Sequence, residues 1–410
     1  MSRVWITGLG AVSALGSGAD TLADALQAGR SGVTAQPGRE ELALKPHAAA
    51  VVTGPLAAGM APAQRNLHDR HGLMALEAAA EAWAQAGLPA TAPDPERAAV
   101  AWGTGLGGSN SLEQSYQQMF TAQFQGGAPR IHPYTVVRVM ANSAGSHLAM
   151  RHQLRAAQFA VSNACASSAQ AIGEALWLLR NGRADVALVG GSEAMLNTGS
   201  LLGWQAMGVM APLDVDAPEQ SCRPFDDARK GLVLGEGAAA LVIETEAHAR
   251  ARGATPLAVL AGYGHSVDAV HLSRPDAAGQ ARAMQAALRD AGLTPSDIGY
   301  INAHGTATEV GDAVEAESIT AVFGTRAVPV SATKALHGHL IGAGGALELV
   351  ATVQALRRGL LPPSAHVRAS ALARQIDLVT GTARAAQARA AMSNSFAFGG
   401  SNVALVVTQA

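Results

Sequence analysis

Cysteine is scarce, with only Cys165 and Cys222 in a chain of 410 residues. Two thiols in so long a chain do not make a disulfide framework. Neither stands in a C-x-x-C pair, which argues against a structural zinc site. A reducing cytoplasm is the expected setting. Aromatics make up 4% and charged residues 15% of the chain, so aliphatic and small side chains must fill the core. Net charge is −2, without the basic excess that marks a nucleic-acid surface. No stretch reaches the roughly 18 uninterrupted apolar residues that a membrane span needs. The opening Met1-Ser2-Arg3-Val4-Trp5-Ile6-Thr7 runs straight into an apolar strand. It lacks the basic region, apolar core and cleavage site of a signal peptide.

What is abundant is alanine and glycine, including 45 Gly, in a composition 49% hydrophobic. That balance belongs to a folded protein whose layers approach closely. The length exceeds one ordinary core and implies two packed domains or a duplicated one. Short apolar runs at 4–7, 98–102, 159–161, 186–189 and 238–243 predict buried strands, with helices at 72–86 and 168–180 between them. The alternation restarts near residue 250. Strands are predicted at 257–262, 300–302, 328–331, 391–393 and 403–407, and helices at 280–291, 314–323 and 344–357. Alternating strands and helices predict an α/β protein, and the restart predicts two similar halves, 1–250 and 251–410. Segments 36–61 and 89–96, rich in Pro, Ala and Gly, are expected to be surface loops or caps.

Four elements carry chemistry. In Ser162-Asn163-Ala164-Cys165-Ala166-Ser167-Ser168 a strand ends and a long helix begins. A thiol at a helix N-terminus meets unpaired backbone N–H groups and the positive end of the dipole, which favour thiolate and can hold an oxyanion. A buried, inert thiol is the bland alternative there, and the preferred one for Cys222. In Ile301-Asn302-Ala303-His304-Gly305-Thr306-Ala307-Thr308, His304 stands at a strand end, where α/β proteins place ligands. Asp312, Glu315 and Glu317 follow on a helix, Glu317 on its solvated face. The third element, Ser331-Ala332-Thr333-Lys334 through His337-Gly338-His339 to Gly344-Gly345, sets Lys334 and His339 at a glycine-rich turn, with Glu348 on the next helix. The fourth, Ser393-Asn394-Ser395-Phe396-Ala397-Phe398-Gly399-Gly400, is a tight turn able to offer a backbone N–H to an oxyanion hole. The formal G-x-G-x-x-G of Gly103–Gly108 is set aside as a dinucleotide site, because no acidic residue follows a second strand about twenty residues on.

Together these elements resemble the beta-ketoacyl-acyl-carrier-protein synthases, most closely the elongating type II branch. Val4-Trp5-Ile6-Thr7-Gly8-Leu9-Gly10, Arg223-Pro224-Phe225-Asp226 and Gly235-Glu236-Gly237-Ala238 extend the likeness over nearly the whole chain. The resemblance implies a thiolase-like fold, two pseudo-symmetric halves in five αβαβα layers. It implies Cys165 as nucleophile, His304 and His339 as the active-site histidines, and Lys334 as their support with Glu348, Asp312 and Glu315 behind. Cys165 and Phe398 would form the oxyanion hole. Thr306, Thr308, Phe398, Trp204, Thr135, Leu106 and Met195 would bind substrate. No cofactor is required, since phosphopantetheine arrives on the carrier. Asn302, Glu348, Ser393 and Asn394 match positions that hold Na+ or K+ in some relatives. Partners implied are acyl carrier protein, acyl and malonyl thioesters, and a second subunit, in a homodimer or with a chain-length-factor-like chain. Arg65, Arg70, Arg130 and Arg138 are candidates for the carrier surface.

The chain departs from the pattern in places. Ala397 replaces a usual Gly beside the gating Phe, Lys230-Gly231-Leu232 a common Asp-Gly-Phe, Thr135 an aromatic at the tunnel's end and Trp204 a Phe on its wall. These departures point to specialised polyene or polyketide assembly rather than housekeeping fatty-acid synthesis. A degradative thiolase would need a second cysteine in the C-terminal Gly-rich loop. A type III synthase would pair its Cys with His and Asn. A chain-length factor would lack the nucleophile, and an acyl hydrolase would release free acid.

Overall fold

Runs of Val, Ile, Leu and Ala bounded by Gly or polar residues are apolar on both faces, and such strands need cover on both sides. The computed structural model describes residues 2–410. Its first half has β1 (Val4–Ser13), β2 (Ala98–Gly103), β3 (Ala157–Val161), β4 (Val186–Glu193) and β5 (Gly237–Thr245). Its second has β6 (Ala258–Val267), β7 (Ile298–Asn302), β8 (Pro329–Ser331), β9 (Asp377–Leu378), β10 (Ala390–Phe396) and β11 (Ser401–Thr408). The strands lie in the order β9-β8-β7-β10-β11-β6-β1-β5-β4-β2-β3.

Read outward from the centre, each half runs through its first, fifth, fourth, second and third long strand. The first two junctions are antiparallel and the next two parallel in both halves. β9 adds a short parallel edge in the second half. The halves join where Val4–Ile6 of β1 pairs antiparallel with β6. This repeat explains the restart of the pattern near residue 250.

Helices cover the sheet faces. They are α1 (Arg70–Gln85), α2 (Ser109–Gln125), α3 (Thr135–Val139), α4 (Ser143–His152), α5 (Ser167–Arg180), α6 (Thr198–Ala206), α7 (Ala277–Ala291), α8 (Glu309–Phe323) and α9 (Gly344–Arg358). α5 and α9 pack on each other and against strands of both halves, and α9 is buried along nearly all its length. A helix apolar on every side belongs in a core. α1 and α4 cover the outer face of the first half, and α7 and α8 that of the second. The result is the five αβαβα layers expected. No described helix is long and apolar enough to cross a membrane.

The small residues have a measurable role here. A Cβ on Gly10 would stand 1.9 Å from Ala78 O, so α1 lies directly on β1 at this glycine. Gly10→Val is expected to cost about 3 kcal/mol or more through overpacking, read as a lowered Tm in calorimetry. An unchanged Tm would contradict this packing.

One expectation fails in part. Within 36–61, His47–Ala50 is a fully buried strand, paired with Val33–Gln36 on one side and Leu234–Gly235 on the other. The run is too short and too alanine-rich for its strand character to show in sequence.

Candidate active site

The turn Ala164–Ala166 links β3 to α5 and carries Cys165. Ala164 has φ 44°, a left-handed value uncommon for a residue with a side chain. Such strain beside a thiol is the mark of a side chain held in a set direction. β7 ends at Asn302, and the following turn carries His304. Glu315 on α8 fixes that turn, its carboxylate accepting the N–H groups of His304 and Gly305 at 2.7 Å each. Asp312, one helical turn earlier, accepts from Phe225 N–H and Ala307 N–H. Both acids are buried, whereas Glu317 is exposed. His339 follows β8 and the short helix Lys334–His337.

These segments converge. His339 Nε2 lies 3.0 Å from Cys165 Sγ, and the rings of His304 and His339 stand edge to face with centroids 5.3 Å apart. One nitrogen of each imidazole and the sulfur lie within 4.8 Å of one another. Lys334 Nζ, 1% exposed, donates to the carbonyl oxygen of His304 at 2.6 Å and stands 3.4 Å from its Nδ1. It also forms a buried ion pair with Glu348. Burial pushes the Glu348 carboxyl up to about 7, against the pull of Lys334.

The bonds assign the tautomers. His339 Nδ1 accepts the N–H of Ile341 at 3.2 Å, so its proton resides on Nε2. The Lys334 ammonium faces Nδ1 of His304, which likewise leaves the proton on Nε2. Both rings therefore present N–H donors to the space beside the sulfur. A Cys-His-His set is also the donor chemistry of a soft metal ion. Here protonated Nε2 atoms and a neighbouring ammonium oppose that use.

A cavity of about 540 Å³ contains Cys165, His304 and His339, together with Thr306, Thr308, Trp204, Phe398, Asp312 and Glu315. Trp204 stacks on Phe398 at 6.2 Å and its Nε1–H points at Met195 Sδ, 3.3 Å away. Lys230 and Arg274, both exposed, line the same cavity.

Family models for the beta-ketoacyl synthase N-terminal and C-terminal domains match residues 1–249 and 257–368. The chain belongs to the beta-ketoacyl synthase family. It is 39% identical over 409 residues to nodulation protein E of Rhizobium meliloti (strain 1021), covering 99% of each chain. It is 36% identical over 414 residues to 3-oxoacyl-[acyl-carrier-protein] synthase 2 of Coxiella burnetii, covering 99% of this chain and 98% of the other. Among solved structures, the ishigamide ketosynthase/chain length factor superposes with a TM-score of 0.89 at 30% identity, covering 100% of this chain and 99% of that one. The protein is thus a condensing acyltransferase that works on carrier-bound acyl groups.

The remaining expected residues of this synthase lie in several places. Burial pushes the Cys165 thiol up to about 11, despite Lys334 and hydrogen bonds from the backbone N–H groups of Phe398 and Cys165 itself. Burial outweighs the Lys334 charge and those N–H groups, which raises the thiol above its ordinary value. Its alkylation by iodoacetamide should therefore keep accelerating with pH past 9; a plateau near neutrality would contradict this.

Leu106 and Thr135 lie outside the Cys165 cavity. Leu106 gives its backbone N–H to Glu193 and turns its side chain outward, 54% exposed. Thr135 opens α3, its hydroxyl 3.5 Å from that of Ser115. The rim cations are Lys230 and Arg274. Arg65, Arg70 and Arg138 line a different cavity, and Arg130 is an exposed residue beyond α2. Ala397 avoids the positive-φ region, so it introduces no strain beside Phe398; Gly399 and Gly400, at φ 86° and 78°, make the turn.

Sequence reasoning missed Glu193. Fully buried at the end of β4, it accepts from Gly105 N–H, Leu106 N–H and Gly342 N–H. The glycine-rich loop that formally matches a dinucleotide fingerprint thus already holds the chain's own carboxylate. A Gly-Gly-Ser-Glu strand end was the available signal. Cys222 is the inert thiol expected, buried with its S–H toward Lys334 O. Among the positions matched to a monovalent cation, Glu348 Oε2 and Asn394 Oδ1 are buried oxygens with no hydrogen-bond partner among the described residues. Unpartnered oxygens suit a hard cation.

Proposed function

We propose that this synthase elongates carrier-bound acyl chains in two stages at Cys165. The convergence of one sulfur with two Nε2–H donors at the base of a single cavity carries the reading. In the first stage the sulfur attacks an acyl thioester, and the N–H groups of Cys165 and Phe398 hold the tetrahedral oxyanion. The carrier thiolate leaves with the proton that the thiol gave up. In the second stage the malonyl thioester oxygen accepts from His304 and His339. The bond to the carboxylate breaks, carbon dioxide departs, and the electron pair remains as an enolate held by those donors. Its carbon attacks the acyl group, the tetrahedral adduct collapses, and Cys165 is released and reprotonated as the ketoacyl-carrier leaves.

Lys334 keeps Nδ1 of His304 free of a proton and so keeps the donor on Nε2. Glu348 and Asn394, with Asn302 and Ser393, would hold a Na+ or K+, whose charge would balance the carboxylate behind Lys334. Thr306 and Thr308 offer hydroxyls to the pantetheine arm.

Carrier proteins are acidic, and the rim cations Lys230 and Arg274 suit such a partner. Charge reversal in the double variant K230E/R274E should raise KM for acyl-carrier about tenfold with little change in kcat; unchanged steady-state kinetics would remove these residues from docking. A second subunit fits the face built by α2 and α3. It exposes Tyr116, Phe120, Phe124, Tyr134, Val136 and Val137, and β3 leaves one edge of the sheet unpaired. Exposed apolar area and a free strand edge both invite another chain. A homodimer is the simpler assembly. The similar ketosynthase/chain length factor structure supports a heterodimer as the second reading, which co-purification with a neighbouring gene product would reveal.

Trp204, stacked on Phe398, narrows the cavity and favours flat, unsaturated chains, in keeping with a specialised pathway. Intact-mass analysis after exposure to a panel of acyl-carriers tests this. Preferential acylation by unsaturated chains is expected. A profile of ordinary saturated chains would count against it.

A further inference from the structure

One buried donor on the wall of the Cys165 cavity has no part in the two stages above. Gln280 stands in the first turn of α7 and is only 2% exposed, yet it borders the cavity. Its Oε1 lies 2.8 Å from the Ser318 hydroxyl on α8, which also reaches Glu315 O at 2.9 Å. With Oε1 held there, no described residue accepts from Nε2. Buried amides are normally paired at both ends, so this nitrogen is left for what enters the cavity.

The neighbouring acids do not use it. Glu315 takes the N–H groups of His304 and Gly305, and Asp312 those of Phe225 and Ala307. Asp268 takes the side-chain amide of Asn402 and the N–H of Asp276, which commits Asn402 as well. The hydroxyls of Thr306 and Thr308 bond each other.

The fold sets the place of this amide. α7 packs along α8, and Ser318 and Glu315 join Gln280 to the turn that carries His304. On its other side, a Cβ on Gly279 would stand 1.7 Å from Asp268 Oδ1. Gln280 therefore enters the cavity from the second half, with His304. The apolar side chains Trp204, Met207 and Leu232 enter it from the first half.

We propose that Gln280 Nε2–H holds the free carboxylate of the malonyl unit before it leaves as carbon dioxide. This role rests on the elongation reading above. His304 and His339 take the thioester oxygen, and the carboxylate, two bonds further along, needs a donor of its own. A neutral amide suits it. The carboxylate departs uncharged, so a cation here would stabilise the ground state that the reaction must leave. An amide N–H sets the direction of the breaking bond at a smaller cost.

The test compares the full-length parent with Q280L and Q280A in two assays. Intact mass reads Cys165 acylation by acyl-carrier, and steady-state condensation is read with malonyl-carrier varied. Q280L keeps much of the side-chain volume without the donor. It should acylate at the parental rate and show a KM for malonyl-carrier raised about tenfold. Q280A should do the same, and it decides alone should Q280L fail to fold. Parental malonyl kinetics in the variants would overturn the proposal. So would an equal loss of acylation, which would place Gln280 on the pantetheine arm that both carriers bring. A parent that acylates without condensing would overturn the elongation reading, and this proposal with it. A condensing parent matched by the variants would overturn the role of Gln280 alone.

Discussion

Cys165→Ala is expected to lower condensation by about a thousandfold or more, because no other group in the cavity can carry the acyl chain. Cys222 cannot substitute. It is buried, and its thiol is pushed up to about 12 by that burial. The variant keeps His304, His339 and their donors, so it should still bind malonyl-carrier and release carbon dioxide slowly without forming a carbon–carbon bond. Two assays read this, ketoacyl product and released carbon dioxide. Appreciable ketoacyl product from Cys165→Ala would show that the acyl group never passes through this sulfur.

His304→Ala divides the reaction differently. The ring lies behind the nucleophile's own contacts. The sulfur is met by His339 Nε2 and the backbone N–H groups of Phe398 and Cys165. Acylation should therefore survive in large part, while loss of one enolate donor lowers decarboxylation about 100- to 1,000-fold. His339→Ala should harm both stages, since its Nε2 serves the sulfur as well. Intact mass reads the first stage and carbon dioxide release the second. Equal loss of both in His304→Ala would make that residue a structural support rather than an enolate donor.

Much of this arrangement was legible in the sequence. Most of the strands announce themselves because they are apolar on both faces and end at Gly or a polar residue; β3, with Gln158 exposed, and the three-residue β8 are the weaker signals. The chemical residues stand at strand ends, where α/β topology gathers ligands. Cys165, His304 and His339 could thus be chosen before their convergence was visible. What stayed hidden depends on long-range packing. Glu193 reads as one acid among 31 acidic residues until its strand end is seen beneath three backbone N–H groups. The desolvation of Cys165 was not legible, because a helix N-terminus is local and readable, whereas burial comes from Met195, Leu201, Leu232 and Ile341, which are distant in sequence. Thr135 was placed at an acyl tunnel by likeness alone. Its neighbours Ser111, Ser115 and Arg138 come from segments with no patterning to announce a polar cavity.

A single-turnover measurement reaches the core of the account. Enzyme acylated on Cys165 and freed of excess donor is mixed with malonyl-carrier labelled in its free carboxyl carbon. One labelled carbon dioxide and one ketoacyl-carrier should form per acyl-enzyme, in step, as the mass of Cys165 returns to that of the free thiol. Loss of the acyl group as free acid, with the label still on the malonyl-carrier, would contradict a condensing site built from this sulfur and these two imidazoles.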